Sequence, residues 1–135
     1  MRLMPFQGAI DMPANTVSSL ESRSFDEPDE KRRPDKTEVD VVSVSGYTLG
    51  RFRFQPGWSW AECIKPVAKT DSCQSNHVGI CTGGSITVEH NDGGRITIKA
   101  GDSYSIPPGH NAWVEGDQPF EGYEFLSAAE YAKGA

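Results

Sequence analysis

The stretch from Gly101 to His110, GDSYSIPPGH, constrains the fold more than any other segment of the chain. A Gly-Asp turn leads into a short strand carrying Tyr104 and Ile106, and Pro107, Pro108 and Gly109 end it in a rigid corner. Proline removes a ladder donor and glycine accepts backbone angles that other residues avoid, so the strand cannot run through that corner. His110, one of 3 histidines, follows at once. A strand that stops at a fixed corner and presents an imidazole suits a small closed β structure with a ligand held inside.

The same punctuation runs from Thr37 onward. Val39 to Val44 and Tyr47 to Gln55 read as strands, the second with Phe52 and Phe54 on one face and Arg51 and Arg53 on the other. Ser59 to Ile64 reads as a further strand, and Pro66 to Asn76 as a polar loop. His77 to Cys81, Ile86 to Val88 and Ile96 to Ile98 continue the pattern, with Asn91-Asp92-Gly93-Gly94 as a hairpin turn tolerant of positive φ. Ala112 to Val114 and Tyr123 to Phe125 are the last strands, and Ser127 with Glu130 predicts a cap for a short C-terminal helix, Ala128 to Lys133. Short strands at this spacing predict an all-β sandwich or closed barrel. Residues 1–36 hold four prolines, a Ser-rich patch and the run DEPDEKRRPDK, and read as a largely irregular N-terminal arm. Leu3, Met4, Phe6 and Ile10 are the side chains through which that arm would dock on its own or a neighbouring barrel. The expected organisation is an arm at 1–36, a barrel at 37–128 and a tail at 129–135.

Composition narrows the function. With 135 residues, 36% of them hydrophobic, the chain fits one domain with a modest core. A net charge of −6 argues against nucleic acid or an anionic membrane surface as partner, and Lys31-Arg32-Arg33 is flanked by acids. No apolar run approaches the ~20 residues of a membrane span, and the start lacks a signal-peptide core, so a cytoplasmic location is expected. Cys63, Cys73 and Cys81 are then expected to be thiols, for which packing in the core is the ordinary role, with a Cys63–Cys73 bridge as the open alternative.

Strand order and punctuation from Val39 to Phe125 resemble the cupin superfamily, the double-stranded β-helix or jelly-roll-like barrels. Gly101, five residues, then Pro107-Pro108-Gly109 matches the opening of the second cupin motif; His110 arrives two positions early, and Ala112 stands in the usual ligand position. In the first motif, Gly57 plus five residues lands on Cys63, and the second histidine position is Lys65. After a long spacer, His77, six residues and Gly84 reproduce the final spacing with histidine in place of glutamate. The phrases GWSWAECIKP, TDSC and IPPGHNAWV look like small stand-alone bacterial cupins, some of whose relatives are joined to signalling domains. The resemblance implies the fold and a degenerate metal-ligand set.

On that reading His77, His110 and Cys63 are the candidate metal ligands, with Cys73 as a substitute for Cys63 and Glu62 a ligand only if its strand bulges. A Cys-His-His set with an open fourth position suits Zn(II), with Fe or Cu as alternatives. Lys65, placed inward by the motif, could hold a substrate carboxylate or act as a reactive amine, or sit at the rim with its ammonium in water. Tyr104 could add a hydroxyl to the cavity. His90 reads as surface, Trp58 and Trp60 as packing, and Trp113 as packing or as part of an aromatic ligand mouth. The expected protein is a homodimeric cupin that binds a divalent metal ion and a small polar molecule, with metal-dependent catalysis open. The alternative is a ligand-sensing or storage cupin without metal, and a third is an interaction module whose working part is the arm.

Overall fold

Alternating apolar and polar side chains build two antiparallel sheets in the computed structural model, which describes residues 17–129 and 131–133. In chain order the elements are β1 (Glu30–Arg32), β2 (Thr37–Val44), β3 (Tyr47–Phe54), α1 (Trp60–Cys63), α2 (Lys65–Ala68), β4 (His77–Gly83), β5 (Ser85–His90), β6 (Arg95–Lys99), β7 (Ser103–Ile106), β8 (His110–Trp113) and β9 (Phe120–Glu124). The larger sheet has the order β1-β2-β3-β9-β4-β7, and the smaller one β6-β5-β8. All pairings are antiparallel. The inward faces of both sheets form the core, with Val39, Val41, Phe52 and Phe54 from one side and Ile86, Val88, Ile98 and Ala112 from the other.

Period-2 register explains which side chains point in. On β3, Phe52 and Phe54 are buried, and Phe54 stacks on Trp58 with ring centroids 3.9 Å apart. Trp58 Nε1 donates to Thr37 Oγ1 at 2.9 Å, so this indole is satisfied inside the core. The outer face of β2 and β3 is also covered. Arg51 on β3 pairs with buried Asp40 on β2 and with Asp26, while Arg33 closes on the other Asp40 oxygen. Phe25 packs edge-on against Tyr123 of β9. Residues 25–33 therefore lie along the barrel, and β1 adds a strand to its edge. Leu3, Met4, Phe6 and Ile10 lie outside the described residues.

Three segments differ from the sequence expectation. Ser59 to Ile64 is a helical turn, not a strand: Ser59 Oγ accepts the Glu62 N–H, and Ile64 N–H bonds Trp60 C=O. The Ser-x-x-Glu spacing is a helix-start signal that outweighs the Trp58/Trp60 alternation. α2 then opens the segment expected to be all loop, with Pro66 in its first turn and Lys69 in the left-handed region as its C-cap. At the other end, Ala128 to Lys133 holds a single closed turn, Tyr131 N–H to Ser127 C=O at 3.0 Å, and no helix is assigned there among the described residues. Ala132 at φ 56 takes the chain out of helical geometry. The buried guanidinium of Arg32 holds this turn by donating to the carbonyls of Ala128 and Tyr131 at 2.7 and 2.6 Å.

Candidate metal centre

β4, β8 and the loop after α2 bring three ligand-type side chains together. His77 opens β4 facing inward, as do Gly79 and Cys81 after it. His110 opens β8 and shares its inward face with Ala112. The two-residue displacement of His110 from the usual motif position thus preserves strand parity and moves the imidazole along the same face. The corner before it needs Gly109, whose φ of +91 a side chain would strain. Cys73 reaches the site because its loop is stitched to that corner: Cys73 N–H donates to His110 C=O at 2.8 Å, and Gly109 N–H to Cys73 C=O at 2.7 Å.

One ligand atom each from Cys73, His77 and His110 lies within 4.8 Å of the others, and all three residues are buried. Cys73 Sγ is 3.7 Å from His77 Nε2. Tetrahedral Zn bonds of ~2.3 Å to sulfur and ~2.05 Å to nitrogen require an S···N separation of about 3.6 Å. The donors therefore fit such an ion in type, and the Cys73–His77 pair also in spacing. His77 Nδ1–H donates to Glu124 Oε1 at 2.7 Å, and His110 Nδ1–H to Pro107 C=O at 2.7 Å. A carbonyl or carboxylate can only accept, so Nδ1 carries a proton in each ring and Nε2 is the nitrogen that a ligand would take once the ring is neutral.

Glu124 was not legible as a site residue, yet it organises the rest. It is 4% exposed, accepts from His77 and Ser127 through Oε1, and accepts from Tyr104 Oη through Oε2 at 2.8 Å. Its signal in the sequence is its register: Phe120, Gly122 and Glu124 share the inward face of β9. Space for the Tyr104 hydroxyl comes from two glycines, because a Cβ at Gly79 or Gly122 would lie 2.9 Å from Tyr104 Oη.

The local electrostatics favour an ion pair before any cation enters. Burial alone would raise the Cys73 thiol, but His110 and His77 outweigh it and bring its pKa down to about 6. Burial alone would lower His77, but Glu124 and the Cys73 thiolate outweigh it and lift its pKa to about 9. Tyr104 moves the other way from a useful acid: burial and the Glu124 carboxylate push its hydroxyl far above the ordinary range.

The other expected residues fall elsewhere. Cys63 is not at the centre. The α1 turn directs its sulfur toward Asp35, 4.0 Å away, and burial raises its pKa, so Cys73 and not Cys63 stands with His77 and His110. Lys65 begins α2 as an exposed residue and does not line the cavity, because a helix stands where the motif implied a strand. Glu62 is exposed on α1. Cys81 donates to Gly83 C=O in the core. Trp113 faces outward under Arg95, whose guanidinium carbon is 5.2 Å from the ring centroid. His90 is half-buried on the Pro108 carbonyl. The cavity beside His77 and His110, about 30 Å³, is walled by Phe52, Phe54, Trp58, Trp60, Phe120 and Tyr131.

No protein-family model matches the chain, and no curated protein does. Solved structures do. A Rhizobium leguminosarum protein of unknown function is 18% identical, with 82% of this chain and 99% of that one covered and a TM-score of 0.58. RemF, a polyketide cyclase of Streptomyces resistomycificus, is 13% identical over 82% of this chain and 80% of that one, at a TM-score of 0.58. A sugar phosphate isomerase from a cupin superfamily, from Silicibacter pomeroyi, is 14% identical over 79% and 75%, at 0.56. The chain has the all-β cupin fold, a double-stranded β-helix barrel.

Proposed function

We propose that this cupin-fold protein binds one divalent cation, Zn(II) by preference over Fe or Cu, through Cys73, His77 and His110, and a small molecule beside it. The observation that carries the reading is the buried Cys-His-His trio, with donors within 4.8 Å of one another and both Nδ1 atoms already engaged. Cys73 supplies the thiolate and Glu124 fixes the tautomer and tilt of His77. Pro107 does the same for His110, and the aromatic walls exclude bulk water. A cation held there would act as a Lewis acid toward a ligand oxygen in its open position.

Tyr104 spends its proton on Glu124, and Lys65 lies outside the cavity. These two placements support binding or sensing over turnover. Three buried free thiols support a reducing, cytoplasmic setting, and among the described residues no helix is long and apolar enough to cross a membrane. Exposed Val78, Ile80 and Phe125 support pairing of two copies through the larger sheet. Cobalt substitution tests the centre: Co(II) added anaerobically should give intense tetrahedral bands with a thiolate charge-transfer band at one equivalent. His77→Ala with His110→Ala should abolish them. A spectrum of hexahydrated Co(II) with the wild-type chain would defeat the reading.

A further inference from the structure

Of the 3 tryptophans, two have their indole N–H accounted for: Trp58 donates to Thr37 Oγ1 and Trp113 to Glu115 Oε2. Trp60 is different. Its side chain is 2% exposed, and its Nε1 is buried without a hydrogen-bond partner among the described residues. A donor left unmade in a packed interior is costly, and folded proteins rarely keep one without a reason. An indole N–H can only donate, so the missing partner is an acceptor.

The position of Trp60 indicates where that acceptor would come from. Its ring lines both the inner cavity beside His77 and His110 and an outer cleft of about 350 Å³ that reaches Cys73. Tyr131 is the other residue common to both, so these two side chains stand between the cavity and the cleft. The cleft offers an apolar surface of Ile64, Val67 and Ala68, and among the described residues its ionisable side chains besides Cys73 and Tyr131 are Lys69 and Lys133. Among the described residues no carboxylate lines it, in a chain whose net charge is −6. The local sign is inverted, which favours an anion.

We infer that Trp60 is a ligand-recognition residue, whose indole N–H donates to a carboxylate oxygen of a small aliphatic monocarboxylate seated between the outer cleft and the Cys73–His77–His110 trio. The aliphatic body rests on Ile64 and Val67, and the lysines at the cleft draw the anion in. The inference deepens the proposed function by naming its ligand class. The indole contact itself does not depend on the cation.

The test uses the full ¹⁵N-labelled chain, metal-free and zinc-loaded, titrated with butyrate and, as its neutral counterpart, butyramide. Butyrate should move the Trp60 indole N–H signal saturably while those of Trp58 and Trp113 stay in place, and butyramide should have little effect. Trp60→Phe should weaken butyrate binding about tenfold or more, the usual worth of a hydrogen bond to a charged group, with zinc stoichiometry unchanged. If the variant does not fold, through-space assignment of the three wild-type signals keeps the titration decisive. A Trp60 signal indifferent to butyrate means that water alone fills the site, and overturns the inference even if zinc binds. Equal shifts with butyramide overturn the anionic class. A Trp60 response in a protein that never takes up metal would sink the metal reading and leave this one standing.

Discussion

Glu124→Gln separates two effects that a simple ligand deletion confounds. In the metal-free protein the carboxylate holds a proton on His77, with a pKa of about 9, next to a Cys73 thiolate with a pKa of about 6. A cation needs His77 neutral. Around pH 7.5 the thiolate is already formed, so binding displaces one proton, and the competition weakens apparent affinity about 30-fold, or roughly 2 kcal/mol. Affinity should therefore rise about tenfold per pH unit until pH passes about 9, then level off. Below about pH 6 the thiol protonates as well and the slope steepens to two protons. Replacing Glu124 by Gln keeps the shape but removes the charge. His77 then titrates lower and the competition fades, while the loss of the carboxylate behind a ligating histidine costs about 10–100-fold in intrinsic affinity. Near neutral pH these changes oppose each other, and the variant should bind within about tenfold of wild type. Above about pH 9 the full deficit should appear. Zinc competition with a chromogenic chelator across this range, corrected for chelator protonation, reads the curves, and calorimetry in buffers of different ionisation enthalpy counts the proton. A wild-type affinity that is flat from about pH 7 to 8.5, or the same deficit at every pH, would refute the reasoning.

Asp40 is held below the ordinary carboxylate range because Arg33 and Arg51 outweigh its burial. The stability it contributes is present above its unfolded pKa and lost as pH falls through the lower folded value, so Asp40→Asn should melt earlier at neutral pH and show a flatter acid limb. An unchanged acid limb would contradict this. Arg32→Met removes charge-assisted bonds to the carbonyls of Ala128 and Tyr131, each worth ~1.5–3 kcal/mol. Hydrogen exchange at Tyr131 should rise well before exchange in β3, whereas protection lost equally at both would place Arg32 in the global core. Ile80→Lys on the exposed face of β4 should turn a dimer into monomer by analytical ultracentrifugation, and a wild-type monomer at high concentration would remove the dimer proposal.

The strands were largely legible because inward parity survives local change. His77 and His110 sit on inward faces although His77 stands where the motif has glutamate and His110 comes two positions early, and Tyr104 follows the same rule. The Cys63 assignment failed for a local reason. Ser59 caps a helical turn through Glu62, and that turn rotates Cys63 toward Asp35 while the following loop delivers Cys73 to the Pro107–His110 corner. Ser59 to Ile64 reads as a strand, and the competing cap signal of Ser59 and Glu62, three residues apart, decided the geometry. Glu124 stayed hidden because its partners His77 and Tyr104 lie 47 and 20 residues away. A carboxylate on an inward register only becomes informative once those partners are placed around it. Trp60, read as packing, likewise gave no hint of an unmet donor.

Metal content per chain, measured by inductively coupled plasma mass spectrometry after zinc loading and exhaustive buffer exchange, compares Cys73→Ser with Cys63→Ser most directly. Both thiols are buried and both substitutions are small, so non-specific damage should be similar. Wild type and Cys63→Ser should each retain one zinc per chain, and Cys73→Ser should lose it. Retention by Cys73→Ser with loss from Cys63→Ser, or no zinc in the wild-type protein, would contradict the account.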